Sequence, residues 1–319
     1  MPPALVYVAL QRFGDGDERP RRLLREAGFT LKENTLGRRL RLEEVPAEVA
    51  EADAVLAGLE PYTAEVFAAL PRLQCISRCG IGTDAIDVEA ARVRGIAVYT
   101  TPDEVTAPVA ELTVGLMLAL ARHLPLHAEG LRAGRWHRRQ GRLLSEWTIG
   151  LVGFGRIGRA VARALQPFGP AILATDPAAH PADMPQEIEL TDLATLLAQA
   201  DLVSLHASPA PGTQALLGAR ELALMKPGSY LVNTARGSLV DEAALEQALA
   251  SGRLAGAALD VFAQEPYAGP LTRLPNVFCT PHVGSLTRAS RAAMEWRCAQ
   301  HVIEHFKRRP LRASGAVAR

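Results

Sequence analysis

A chain of 319 residues exceeds what one hydrophobic core comfortably organises, so two domains are expected, and 48% hydrophobic with 22% charged residues excludes a disordered chain. The 35 Lys and Arg against 34 Asp and Glu exclude a global cationic field of the kind that gathers nucleic acid or an anionic membrane, so an anionic ligand must be held by local charges. Met1 to Leu10 carries no Lys or Arg before its apolar run and reads as a first strand rather than a signal peptide, so a cytoplasmic protein is expected.

That strand, Leu5–Leu10, is followed by apolar runs at Ala54–Ala57, Cys75–Arg78 and Ile96–Tyr99 with helical stretches between them, the grammar of a small α/β domain. Leu112–Ala121, the most apolar stretch, is shorter than the roughly 18 residues of a membrane span, follows Glu111 directly, and predicts a buried helix. From about residue 147 the alternation becomes strict: strands at Thr148–Val152, Ala171–Asp176, Leu202–His206, Tyr230–Asn233, Ala255–Asp260 and Val277–Thr280, with helices between them. Such βαβ units predict a parallel sheet. Arg156–Phe168 is one of the helices, with Ile157, Val161, Leu165 and Phe168 on one face, and Asp241–Leu249 is another, opening on acids that suit a helix N-terminus. After Ser285 the chain is helical to about Lys307 and then polar. It has no strand there to complete a domain, so this last helix is expected to return to the first one.

Thr148–Val152 runs straight into Gly153-Phe154-Gly155-Arg156-Ile157-Gly158 and a helix. Three glycines so spaced permit a tight turn, let backbone N–H groups approach a pyrophosphate and let helix pack on strand, while the helix dipole faces the phosphates. Asp176 ends the next strand, where its carboxylate would accept hydrogen bonds from the ribose hydroxyls and repel a 2′-phosphate; Thr175, Pro177 and Ala178 add no cation, so NAD is expected over NADP. The alternative is that Asp176 caps the turn before Pro177.

Three further segments leave strands at the carboxyl edge of the sheet: Asn233-Thr234-Ala235-Arg236-Gly237, Leu259-Asp260-Val261-Phe262-Ala263-Gln264-Glu265-Pro266, and Thr280-Pro281-His282-Val283-Gly284. An Arg, an acid and a His brought to that edge beside a dinucleotide loop point to a catalytic site. A His can protonate the alkoxide left when hydride reaches a ketone carbon, a carboxylate beside it favours the imidazolium and orients the ring, and an Arg can clamp a substrate carboxylate with its planar fork. His206, ending a strand beside the glycine loop, reads as a lining residue.

At these residues the chain resembles the D-isomer-specific 2-hydroxyacid dehydrogenases, and within them the phosphoglycerate dehydrogenase-like branch. The resemblance runs nearly end to end, through Gly58-Leu59-Glu60-Pro61, Arg78-Cys79-Gly80-Ile81-Gly82-Thr83-Asp84, Thr101-Pro102-Asp103, Ala110-Glu111-Leu112, Met225-Lys226-Pro227-Gly228, Thr234-Ala235-Arg236-Gly237 and Thr280-Pro281-His282. It implies a Rossmann nucleotide-binding domain at 102–285 and a smaller, flavodoxin-like, discontinuous substrate domain at 1–101 and 286–319. It also implies Arg236, Glu265 and His282 as the catalytic set and a homodimer acting on a small 2-keto or 2-hydroxy acid. Gly153, Gly155, Arg156, Ile157, Gly158, Asp176, His206, Thr234, Ala235, Asp260 and Gly284 would hold NAD, and Arg78, Cys79, Gly80 and Ile81 the substrate.

The chain departs from phosphoglycerate dehydrogenases at Ala57-Gly58-Leu59-Glu60, which offers an acid where a phosphate would want a cation, so glyoxylate, hydroxypyruvate or a bulkier 2-keto acid is expected at least as readily as the phosphoglycerate dehydrogenase-like reaction. An NAD-sensing interaction scaffold of the co-repressor type is the alternative, disfavoured because the chain ends soon after its last helix. Cys75, Cys79, Cys279 and Cys298 include no CxxC and are expected reduced; no metal site is expected from His123/His127 or His301/His305. Trp136, in Gly134-Arg135-Trp136-His137, reads as a dimer-arm anchor.

Overall fold

A computed structural model describes residues 3–209 and 214–308. The chain divides into two compact units, Met1–Val105 with Ser285–Arg319, and Thr106–Gly284.

In the first unit β1 (Leu5–Val8), α1 (Arg19–Glu26), β2 (Thr30–Glu33), α2 (Val45–Val49), β3 (Ala54–Ala57), α3 (Ala64–Ala68), β4 (Cys75–Arg78), α4 (Val88–Val93) and β5 (Ala97–Thr100) build a parallel sheet in the order β2-β1-β3-β4-β5. That is the flavodoxin-like order. β3 and β4 are buried at every position, as strands covered on both faces must be. One face packs Val45, Val49, Val66, Phe67 and Leu70; the other packs Leu24, Met294, Cys298 and Val302.

The second unit follows with α5 (Pro102–Ala121), α6 (Leu124–Arg132), β6 (Thr148–Val152), α7 (Arg156–Leu165), β7 (Ala171–Thr175), β8 (Ile188–Leu190), α8 (Leu193–Gln199), β9 (Leu202–Leu205), α9 (Ala219–Leu224), β10 (Ser229–Asn233), α10 (Glu242–Ala250), β11 (Leu254–Leu259) and β12 (Val277–Cys279). Its seven parallel strands run β12-β11-β10-β9-β6-β7-β8, a doubly wound sheet whose direction of growth reverses between β6 and β9. Ligands of such sheets bind beyond the carboxyl ends of the strands at that reversal. The last element of the described residues is α11 (Arg288–Arg308), which packs on β4 of the first unit. The polar tail expected after Lys307 falls outside the described residues.

Several expectations need correction. β2 and β8 are additional to the strands expected from the sequence; each is a short edge strand. The helix expected over Arg156–Phe168 stops at Leu165, and Phe168 lies in a single 3₁₀ turn, 40% exposed, while Val161 and Leu165 hold the core face. The apolar stretch at Leu112–Ala121 belongs to a 20-residue helix, α5, long and apolar enough by length and composition to cross a membrane. Its Val114, Leu116, Met117 and Leu120 are buried in the core around β6.

Candidate active site

Every expected cofactor and catalytic residue of the second unit lies at or just past the carboxyl end of a strand, because that is where a parallel ladder releases the backbone into loops. Gly153 follows β6 with φ of +93°, a conformation that L side chains rarely adopt, and a Cβ there would lie 2.6 Å from the Ala207 amide nitrogen. Gly158 is pressed against the same turn: its Cβ would lie 2.2 Å from the Gly153 carbonyl oxygen. Gly155 differs, since a Cβ there meets nothing within 4 Å. No side chain caps the α7 N-terminus at Gly155, the kind of helix start that binds phosphate.

Asp176, first residue beyond β7, bridges this turn. One carboxylate oxygen accepts from the Phe154 amide at 2.7 Å and the other from the Ala178 amide at 2.8 Å. It therefore caps the turn before Pro177, and it is held against the glycine loop by the same carboxylate. His206, past β9, faces Gly153 from the other side of the topological reversal. Its Nε2 lies 2.9 Å from the Ser204 hydroxyl, its buried Nδ1 has no partner, and burial pushes the imidazole down to about 4. A neutral ring with an orphaned nitrogen beside a helix start that no side chain caps fits a nicotinamide dinucleotide, whose polar groups can satisfy that nitrogen.

The catalytic candidates follow from β10, β11 and β12, three neighbours in the sheet. Asn233 shapes the first loop, accepting from the Ala235 amide at 3.0 Å and donating to the Arg236 carbonyl at 2.8 Å. Thr234 is buried with its hydroxyl 2.8 Å from that of Thr113 on α5, and an Arg236 Nη donates to the Ala235 carbonyl at 2.6 Å. A Cβ at Gly237 would fall 1.8 Å from the Phe262 carbonyl carbon, so the loops after β10 and β11 touch backbone to backbone. Within the second loop Glu265 accepts from the Phe262 amide at 3.1 Å, and its other oxygen lies 2.8 Å from His282 Nδ1.

His282 has φ of +53°, unusual for a residue with a side chain. Asp260 holds it there. Buried to 1% exposure, the Asp260 carboxylate accepts from the Thr280 hydroxyl at 2.6 Å, the Val283 amide at 2.8 Å and the Gly284 amide at 2.8 Å, and its carbonyl accepts from the His282 amide at 2.8 Å. Burial raises the Asp260 carboxyl above the usual carboxylate range, against the pull of those three donors and of the neighbouring His282. Asp260 and Gly284, both expected at the cofactor, are thus bound first to each other. Asn233 and Thr280 hold these loops through side-chain hydrogen bonds, a role the sequence reading does not assign to them. A polar residue closing a buried apolar strand must find a partner, and that was the available signal.

In the first unit Arg78 ends β4 with Nε donating to the Gly82 carbonyl at 3.1 Å and an Nη to the Cys79 carbonyl, so the cation is wrapped by its own loop, Cys79-Gly80-Ile81-Gly82. Glu60 is 2% exposed and accepts from the Gly58 amide at 2.9 Å and the Tyr62 hydroxyl at 3.1 Å. Burial raises its carboxyl above the usual range, with the Arg78 charge among the opposing influences. All four cysteines are free thiols, and among the described residues no three His, Cys, Asp or Glu side chains group as a metal site. The His301 and His305 rings instead meet the Ser77 and Tyr99 hydroxyls at 3.0 and 3.1 Å.

Residues 114–284 match the family model described as D-isomer specific 2-hydroxyacid dehydrogenase, NAD binding domain. The chain is 40% identical over 255 residues to a hydroxypyruvate reductase of Thermotoga maritima, covering 78% of this chain and 83% of that one. It is 42% identical over 250 residues to a D-3-phosphoglycerate dehydrogenase of Mycobacterium bovis, covering 77% of this chain but 47% of that one, so it matches about half the length of that relative. The crystal structure of TT0316 protein from Thermus thermophilus superposes with a TM-score of 0.86 at 36% identity over 98% of this chain and 100% of that one. The chain belongs to the D-isomer-specific 2-hydroxyacid dehydrogenase family, as an NAD-dependent oxidoreductase.

Proposed function

We propose that the chain reduces a small, unphosphorylated 2-keto acid to its D-2-hydroxy acid, and runs the reverse oxidation, as a cytoplasmic homodimer. The observation that carries the catalytic assignment is the His282 Nδ1 to Glu265 contact at 2.8 Å, on a loop fixed by Asp260. NAD, when bound, supplies or accepts the hydride. Gly153, Gly155, Arg156, Ile157, Gly158, Asp176, His206, Thr234 and Ala235 would hold it. Glu265 holds His282 by its Nδ1 and orients the ring, so Nε2 is the nitrogen that gives a proton to the substrate oxygen as it gains charge. In oxidation the neutral ring takes it back. Arg236 binds the carboxylate of the substrate and polarises the reacting carbonyl.

Arg78, Cys79, Gly80 and Ile81 are assigned to the substrate with the first unit as the substrate domain. The exit of β3 presents Leu59, 38% exposed, and a Glu60 already bound to the Gly58 amide; both oppose a phosphate there. The name of the Thermotoga relative agrees with an unphosphorylated substrate. For the dimer, Leu131, Trp136 and Leu143 stand 58%, 82% and 60% exposed along α6 and the segment after it, apolar surface that a second copy would cover. The test is a panel of 2-keto acids with NADH, followed by nicotinamide absorbance and including 3-phosphohydroxypyruvate. The expected result is turnover of glyoxylate, hydroxypyruvate or a bulkier keto acid. A preference of about a hundredfold for the phosphorylated acid, about 2.7 kcal/mol of transition-state binding, would overturn the substrate reading.

A further inference from the structure

Thr101 lies immediately past β5, where the chain leaves the first sheet for α5, and none of its surface is exposed. A buried hydroxyl needs a partner, and this one finds it in the loop that follows the neighbouring strand β4. The Thr101 hydroxyl accepts from the Gly80 amide at 2.7 Å, and the Thr101 amide donates to the Gly80 carbonyl at 2.9 Å. The β4–β5 register ends with Arg78 opposite Thr100, so Gly80 and Thr101 prolong the pairing by one step, with Cys79 the extra residue on the β4 side.

Gly80 is buried, with φ of +139°. A Cβ there would lie 2.5 Å from an Arg78 Nη, so the guanidinium rests against the Gly80 backbone. The same guanidinium donates to the Cys79 carbonyl, and Arg78 Nε donates to the Gly82 carbonyl at 3.1 Å. The orientation of the Gly80 peptide therefore sets where the Arg78 cation sits.

We propose that Thr101 is a positioning residue for keto-acid binding, its hydroxyl fixing the Gly80 peptide and through it the Arg78 guanidinium. The proposal rests on the assignment of Arg78–Ile81 to the substrate.

A regular parallel ladder gives each amide a backbone carbonyl, and the extra residue at Cys79 takes the Gly80 amide out of that pattern. The Thr101 hydroxyl replaces the missing carbonyl. Glycine has no side-chain preference that would keep it at positive φ, so the two bonds to Thr101 are what hold this peptide in place. Without the hydroxyl the Gly80 N–H would be buried and unpaired, and turning the peptide toward water is its relief. Arg78, resting on that peptide, would turn with it. The same bonds refine what the loop offers a substrate. The Cys79 amide is taken by the Ala57 carbonyl at 2.9 Å and the Gly80 amide by Thr101, so these two residues serve the substrate by placing Arg78 rather than with their own N–H groups.

The experiment compares the whole protein with three variants. Thr101→Ser keeps the oxygen, Thr101→Ala differs from it only by that oxygen, and Thr101→Val keeps the shape of threonine. The probe is glyoxylate or hydroxypyruvate, whichever the wild type turns over faster; KM and kcat are measured at saturating NADH, NADH Kd by fluorescence and Tm by calorimetry. The expected result is a KM raised about tenfold or more in Thr101→Ala and Thr101→Val and close to wild type in Thr101→Ser, with kcat and NADH Kd unchanged in all three. A merely structural threonine would lower Tm in Thr101→Ala and leave KM alone. Equal KM in Thr101→Ala and Thr101→Ser overturns the proposal, and so does a rise in KM that NADH Kd shares. A wild type that turns over no keto acid overturns instead the functional reading beneath it, a result visible before any substitution is made.

Discussion

Gly155 and Gly158 flank the same helix start, yet one methyl group should separate cofactor binding from folding. A Cβ on Gly155 meets no atom within 4 Å and the residue has φ of −75°, so alanine fits the folded chain. Losing glycine as an N-cap costs about 0.5–1 kcal/mol, offset by about 0.4–1 kcal/mol from the stiffer unfolded chain, so Tm should move by less than about 3 °C. The methyl nevertheless enters the space in front of the α7 amides. Loss of two amide hydrogen bonds to a charged phosphate, about 1.5 kcal/mol each, should raise the NADH Kd on the order of 100-fold. In Gly158→Ala the same methyl lies 2.2 Å from the Gly153 carbonyl oxygen, a backbone atom that cannot swing away. Overpacking of about 1–3 kcal/mol should lower Tm measurably, with cofactor binding lost as a result. Calorimetry and a fluorescence titration with NADH report the two quantities separately. If Gly155→Ala binds NADH as tightly as wild type, or melts as early as Gly158→Ala, the assignment of that open space to the pyrophosphate is wrong.

The wild type should use NADH well ahead of NADPH, and Asp176→Ala should narrow the gap mainly by weakening NADH; because Asp176 also ties the Phe154 and Ala178 amides, some loss of Tm should accompany it, and equal use of both cofactors by the unmutated enzyme would refute the reading. Glu265→Gln replaces the carboxylate 2.8 Å from His282 Nδ1, so kcat for keto-acid reduction should fall about tenfold or more at unchanged NADH Kd; an unchanged kcat breaks the pairing. His206, held neutral with its folded value pushed down to about 4 from 6.5, stabilises the fold fully above 6.5. That contribution, roughly 3 kcal/mol at most, is lost as pH falls from 6.5 toward 4, because only the unfolded chain takes up the proton. Denaturant melts across that window should show a shallower acid decline in His206→Gln, and identical slopes would sink the assignment.

The strands of both sheets that carry an apolar run were legible in the sequence because a parallel strand buried on both faces leaves little room for anything else. β2, Thr-Leu-Lys-Glu with alternating exposure, and β8, with Ile188 its sole buried residue, sit at sheet edges and carry no such run. Strand ends read too long in the sequence. Leu10, Asp176, His206, Asp260 and Thr280 lie beyond the strands they were expected to close, since hydrophobicity does not report where ladder hydrogen bonds stop. The glycine loop was readable because its spacing expresses a backbone constraint that only glycine meets. The left-handed turn at His282, and the three donors that Asp260 gathers to hold it, leave no such trace: both depend on a carboxylate folding back on a loop some twenty residues later in the chain.

The backbone contact at Gly237 ties the three residues proposed for catalysis into one block. With the exits of β10 and β11 in van der Waals contact, and the His282 loop pinned to Asp260 on the second of them, Arg236, Glu265 and His282 cannot be re-aimed one at a time. Whatever widened or narrowed the substrate range along this lineage would have had to leave that block alone. Sequence drift that alters specificity should therefore concentrate at the exits of β3 and β4, where Leu59 and Ile81 are free of such a lock, while even an alanine at position 237 should silence the enzyme toward every substrate at once.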